Sequence, residues 1–239
     1  LPEYRKRFGD VLVFSKSEIA KTFDEGDNFG DRRAIIYARN ACFELAQQIG
    51  ATHFIELDDD YTYFKFRFDD QLRWHGADVQ DLDAVFDMLL DYFNSAPMLT
   101  LAIGQGGDYI GGEKATRFND GIQPMRKAMN SFICSVDRPF QFVGRINEDV
   151  NTYVLLGSRG GVFLSILQIG LDQLETQSNS GGMTELYLDA GTYVKSFYTV
   201  MYCPSCVVVS AMGTAHRRLH HHIKWRYAVP KILRESVKK

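Results

Sequence analysis

Thr52-His53-Phe54-Ile55-Glu56-Leu57-Asp58-Asp59-Asp60-Tyr61 is the stretch that sets the fold class of this chain. Phe54, Ile55 and Leu57 mark a buried strand, which ends abruptly in three consecutive carboxylates. In an open α/β sheet, ligands bind beyond the carboxyl ends of the strands. Three adjacent aspartates repel one another and cannot all be buried without a counter-charge. A hard divalent cation that shares its oxygen ligands with a substrate phosphate supplies one. A solvated acidic turn is the plainer alternative.

Upstream of that stretch, Val11 to Ser15 reads as a short strand, and Glu25-Gly26-Asp27-Asn28-Phe29-Gly30-Asp31 as a polar loop punctuated by glycine. Asp31 is placed to cap a helix over 32–49, where Ile35, Ala38, Cys42, Leu45 and Ile49 recur at helical spacing; Gly50 ends it. Strand, loop, helix and strand in that order form a βαβ unit, which predicts a parallel pair and a nucleotide-type site. The fold class expected is therefore α/β, one domain over 1–239, with a Rossmann-like, mostly parallel central sheet flanked by helices.

Downstream, 61–68 alternates Tyr61, Tyr63, Lys65 and Arg67 with Thr62, Phe64, Phe66 and Phe68, a strand with one buried face. Residues 78–93 predict an amphipathic helix with Val79, Leu82, Val85, Phe86 and Leu89 on one side. Residues 98–103, 131–136 and 139–143 read as strands. The glycine-rich stretch 104–112 allows close backbone approach to a ligand, but it carries neither GKS/T nor GxGxxG. The polar, basic stretch 113–130 (Lys114, Arg117, Arg126, Lys127) is expected to be a loop. A helix is expected over 183–202, with Gly181-Gly182 before it and Lys195 within it, an arrangement able to hold phosphate.

At 239 residues with 45% hydrophobic and 24% charged content, the chain has the make-up of a soluble globular protein. Its net charge of −3 hides an asymmetry. From Arg217 to Lys239 eight basic residues face one acid, which leaves +7 there and −10 elsewhere. The basic C-terminal segment, 213–239, is thus suited to an anionic partner. Four cysteines are too few for a disulfide scaffold, and Cys203-Pro-Ser-Cys206 has no second pair to complete a zinc site. A reducing, cytoplasmic setting is expected. The longest apolar stretch, 162–171, is too short to span a bilayer, so no membrane partner is expected. The chain opens at Leu1 without an initiator methionine, as a processed or excised piece does.

Gly144-Arg145-Ile146-Asn147-Glu148-Asp149-Val150-Asn151 places a second carboxylate pair after a strand and at the start of a helix. Acids are favoured in a helix's first turn by its dipole, so capping alone is one explanation. The other is chemistry, with one acid group on a metal-bound donor and another acting as a base towards an acceptor.

Asp58-Asp59-Asp60 at a strand end, Arg39-Asn40 in the preceding helix and Asn147-Glu148-Asp149 at a later helix start together resemble the DxD motif, donor-binding helix and xED motif of a GT-A glycosyltransferase. Gly144 to Asp149, Gly191-Thr192-Tyr193-Val194-Lys195-Ser196-Phe197 and the histidine-rich C-terminal segment resemble, more narrowly, the TET-associated glycosyltransferases. Those are phage-type enzymes that modify 5-hydroxymethylcytosine in DNA. The resemblance implies a GT-A-like fold and a UDP-sugar or other nucleotide-sugar donor. It also implies Mn²⁺ or Mg²⁺ held by Asp58 and Asp60, and action in the cytoplasm of an infected bacterial host. Arg39, Asn40, Asp58, Asp59, Arg145 and Lys195 become donor-binding candidates. Asp149, with Glu148, becomes the candidate general base. A C-terminal histidine is expected to join the metal, with His221 and His220 ahead of His222 and His216. A glycosyltransferase for another acceptor, a metal-dependent nuclease and a non-catalytic DNA-binding module are the competing readings.

Overall fold

A computed structural model of the chain describes residues 2–71, 73–109, 122–129, 131–174, 193–213 and 218–230, with only the backbone of Ile122, Gln123 and Arg218. The elements in order are α1 (Pro2–Phe8), α2 (Lys16–Ile19), α3 (Ile36–Gln48), β1 (His53–Glu56), β2 (Tyr61–Phe68), β3 (Trp74–Asp78), α4 (Leu82–Ser95), β4 (Thr100–Gln105), β5 (Ile122–Gln123), β6 (Phe132–Ser135), α5 (Glu148–Ser158) and β7 (Phe163–Gln173). A helix over Val194–Tyr202, β8 (Val207–Met212), β9 (Arg218–Ile223) and a short helix over Trp225–Ala228 follow.

Strand periodicity sorts the central side chains onto two faces. Ala102, Phe132 and Cys134 turn to one side, into a core shared with Ile36, Tyr37, Ala41 and Phe43 of α3 and with Val150, Tyr153 and Val154 of α5. Leu101, Ile103 and Ile133 turn to the other, against Val85, Leu89 and Phe93 of α4. Helices thus cover both faces of the sheet. Its strand order is β1-β6-β4-β7-β2-β3, with β5 beside β7, and β8 and β9 form a separate two-stranded ribbon.

The mixed α/β class, with helices flanking a central sheet, is consistent with a GT-A-like fold. The strand directions need correction. Among the described residues β4–β7 is the one parallel pairing; the other strand pairs run antiparallel. The expected βαβ unit is absent for the same reason. Residues 11–15 are irregular, with Leu12 and Val13 exposed, and β1 finds its neighbour in β6, running the opposite way. Residues 139–143 are likewise irregular, because their hydrogen bonds go to helix side chains rather than to a strand. Asp31 does not cap α3, which begins at Ile36; its carboxylate accepts from the backbone and side chain of Arg33 instead. Gly50 does end that helix, in the left-handed conformation that suits glycine, at φ +72°. The strand β3 was unmarked in the sequence, and the histidine run lies on a strand, β9. Of the glycine-rich stretch, 110–112 lies outside the described residues, as do most of 113–130 and the first part of the expected helix over 183–202. No helix among the described residues is long and apolar enough to cross a membrane.

Leu89 is fully buried against the sheet, whereas its neighbour Met88 is 48% exposed. Leu89→Ala is expected to cost about 2–5 kcal/mol in urea unfolding, and Met88→Ala to stay within about 0.5 kcal/mol of the parent.

Candidate active site

β1 ends at Glu56 and the chain turns through Asp58, Asp59 and Asp60 before re-entering the sheet as β2. The turn is pinned at its far side, where the Leu174 amide donates to the Asp60 carbonyl at 3.0 Å. Facing it from α3 is Arg39, a buried guanidinium at 4% exposure. Its Nη2 donates to Asp58 Oδ1 at 3.2 Å, and its Nε lies 4.0 Å from Glu56 Oε2. Its Nη1 lies 2.8 Å from Glu148 Oε1, in ion-pair contact without hydrogen-bond alignment. The same guanidinium sits over the ring of Phe132 at 4.8 Å. Burial works against the charge on Arg39, but Glu148, Asp58, Glu56 and Asp149 outweigh it and hold the group protonated.

One cation cannot neutralise that many acids. Glu56 is pushed up to about 8, chiefly by burial, with Arg39 and, more weakly, the Cys42 thiol opposing. Burial also raises Asp58, with Arg39 opposing and Asp60 and Asp149 adding to the rise. Glu148 moves up for the same first reason, opposed by Arg39 and assisted by Asp149. Asp60 Oδ1 is buried with no hydrogen-bond partner. A surplus of carboxylate oxygen with one orphaned atom fits a hard cation at Asp58 and Asp60. Among the described residues no three His, Cys, Asp or Glu are grouped to hold a metal. A cation that keeps waters and substrate phosphates in its shell is bound through one or two carboxylates and needs no third protein ligand.

The second acidic pair enters from α5. Asn147, just before it, adopts the left-handed conformation at φ +61°, the one non-glycine residue to do so among those described. Its Nδ2 donates to Thr199 Oγ1 at 2.6 Å, and that hydroxyl donates to Asn151 Oδ1 at 2.8 Å. Asn151 Nδ2 in turn donates to the Val143 and Ile146 carbonyls at 3.1 and 2.9 Å. This chain of amides ties the start of α5 to the Val194–Tyr202 helix. Gly144 is needed beside it, because a Cβ there would lie 2.3 Å from Asn151 Nδ2 at a positive φ of 80°. Asp149 is 8% exposed, and its Oδ1 accepts from the Val150 amide at 2.7 Å.

The other expected residues fall into place differently. Both ends of the Asn40 amide are taken by Phe142, whose carbonyl accepts at 3.0 Å and whose amide donates at 2.8 Å, so Asn40 fastens α3 to the segment leading to the second acids. Asp59 points outward and is exposed. Arg145 is buried, and its Nε and Nη2 donate to Asp27 Oδ2 at 2.9 and 2.8 Å. Lys195 lies half-buried on the Val194–Tyr202 helix, and its charge reaches His221 on β9. The charged neighbours that shift His221 are Lys127, Lys195 and His220, all basic. That surrounding does not fit a divalent cation. His216 lies outside the described residues.

The sequence model of the TET-associated glycosyltransferases matches residues 1–182. The chain belongs to that family. No curated protein and no solved structure matches it. The family is one of glycosyltransferases. Three contributors had no sequence motif. Glu56 was hidden within β1, although a lone acid in an apolar strand signals a buried partner. Asp27 and Thr199 were read as parts of a loop and a helix.

Asp27 offers a test of the framework around the acids. Burial alone would raise its carboxyl, but Arg145, Tyr198 and the Phe29 amide together hold it below the usual 3.8. The stability it contributes is complete above about pH 3.8 and is lost as pH falls through the depressed folded value. Asp27→Asn is expected to lose about 3 kcal/mol at pH 7. In urea unfolding across pH, the gap to wild type should close below pH 4.

Proposed function

We propose that this family member moves a sugar from a nucleotide-sugar, a UDP-sugar by preference, to the hydroxymethyl group of 5-hydroxymethylcytosine in DNA. The observation that carries this reading is the meeting of two acidic clusters, far apart in sequence, around the single guanidinium of Arg39. One comes from a strand end and the other from a helix start.

Asp58 and Asp60 are the residues to hold Mn²⁺ or Mg²⁺ with the donor's diphosphate. When bound, such a cation acts as a Lewis acid on the charge that builds on the departing nucleotide. Arg39 fixes Asp58 and Glu148 relative to one another, which makes Glu148 a positioning residue on the base side of the site. Asp149 takes the proton from the acceptor hydroxyl. The oxygen so freed bonds to the anomeric carbon as the bond from that carbon to the diphosphate breaks, and the nucleoside diphosphate leaves. Displacement in one step inverts the sugar carbon. A hydroxymethyl group is a weak nucleophile near neutral pH, and a positioned base is worth about 10²–10⁴ in rate. Position 5 of the pyrimidine opens to the major groove, so the acceptor hydroxyl is within reach in a duplex. A phage setting, in the cytoplasm of an infected host, agrees with the family resemblance.

The test is mass analysis of nucleosides from 5-hydroxymethylcytosine DNA incubated with Mn²⁺ and a panel of UDP-sugars. A hexose-sized gain is expected, reduced at least about 100-fold in Asp149→Asn and abolished in Asp60→Ala. Strand cleavage without gain, or an equal gain on unmodified DNA, counts against the proposal. Independently of activity, Mn²⁺ should raise the melting temperature of wild type and leave that of Asp60→Asn unchanged.

A further inference from the structure

Beside the end of β4, the β8–β9 ribbon and Trp225 lies a cavity of about 490 Å³, within the size range of ligand sites. Gln105, Asp108, Arg126, Lys127, His220 and Trp225 are among its walls. One turn after Asp149 on α5, the ring of Tyr153 stacks on Trp225, with centroids 5.7 Å apart and planes within 12°. The buried Tyr153 hydroxyl is influenced by Asp149 and by the cavity residue Asp108. Tyr153 therefore joins α5, which carries Asp149, to the cavity residue Trp225.

The charge on the cavity wall is positive. Asp108 is already committed, since Arg126 Nη2 lies 2.6 Å from its Oδ1 and the Gln105 amide donates to its Oδ2. Lys127 is exposed, and no carboxylate among the described residues pairs with it. His220 packs against His221, with ring centroids 4.3 Å apart. His221 is 6% exposed, and neither ring nitrogen has a hydrogen-bond partner. Burial first, then its basic neighbours, hold it neutral, with a folded pKa of about 3. Lysine, histidine and an aromatic face in one cavity match the backbone-and-stacking chemistry that holds single-stranded nucleic acid. Exposed Lys224 and Arg226 bracket Trp225 and extend the basic rim.

We propose that this cavity seats the acceptor strand, with Lys127 and His220 on one phosphodiester and Trp225 beneath the adjoining base. The proposal rests on the DNA reading above and adds the place where the strand is held. A nucleotide donor also carries phosphate, and UDP affinity distinguishes that occupant from the strand.

Fluorescence anisotropy with a labelled oligonucleotide containing 5-hydroxymethylcytosine tests it on the full chain. Lys127→Ala should bind about 3–10-fold more weakly, with a salt-dependence slope shallower by about 1. UDP affinity by calorimetry should be unchanged. Lys21→Ala, which removes an exposed lysine outside the cavity, should bind DNA as wild type does. In Trp74→Phe protein, where Trp225 is the remaining tryptophan, DNA should quench the emission. Wild-type DNA affinity in Lys127→Ala overturns the proposal. So does weaker UDP binding in that variant, which would give the cavity to the donor. If wild-type protein still glycosylates DNA in either case, the acceptor reading stands and the seat alone is wrong. If it binds DNA but transfers nothing to it, the reading itself fails.

Discussion

A buried guanidinium with three carboxylates around it is the constraint on which the candidate site depends. Taking charges out of water is expensive, and each one left unpaired costs several kcal/mol. Arg39 can offset only part of that cost, which is why burial pushes Glu56, Asp58 and Glu148 towards their protonated forms even though Asp58 and Glu148 both touch the guanidinium. The centre is short of positive charge by design of its composition, and a cation or a proton must make up the difference. Phe132 and Phe142, over which the guanidinium lies, hold it in place and exclude the water that would otherwise screen the acids.

Around that centre the protein spends its polar side chains on holding backbone. Asn40, Asn151, Thr152 and Thr199 all point inward, and their hydrogen bonds go to carbonyls, amides and one another. Irregular segments can then run through the interior without orphaned backbone groups. The loop over 24–31 is held the same way: the Gly144 and Arg145 amides donate to the Asp24 and Glu25 carbonyls at 2.8 and 2.7 Å, and Tyr202 donates to Asp24. Loop, acidic turn and helix start thus form one continuous hydrogen-bonded frame.

Much of this was legible from residue order, and the failures have physical causes. The apolar run before Asp58 and the Asn147-Glu148-Asp149 signature located a strand end and a helix start, because burial and the helix dipole leave marks in composition. Strand direction left none. An apolar run has the same appearance whichever way its neighbour runs, so β1 was expected parallel and pairs antiparallel with β6. Asn40 and Arg145 were singled out as ligand contacts by position, yet their partners, Phe142 and Asp27, are over a hundred residues away. Such partnerships cannot be read from spacing. The histidine run suggested a metal, whereas the lysines that approach it come from β-strand-flanking segments and a helix remote in sequence.

The family match ends at residue 182, and Met212, His220 and Trp225 of the cavity wall lie beyond it. What joins that later segment to α5 is Gly157, whose bare α-carbon lets the Ala228 carbonyl approach to a point only 2.2 Å from where a side chain would begin. Any larger residue would wedge the two apart. One missing methyl group therefore lets α5 and the C-terminal arm lie backbone against backbone.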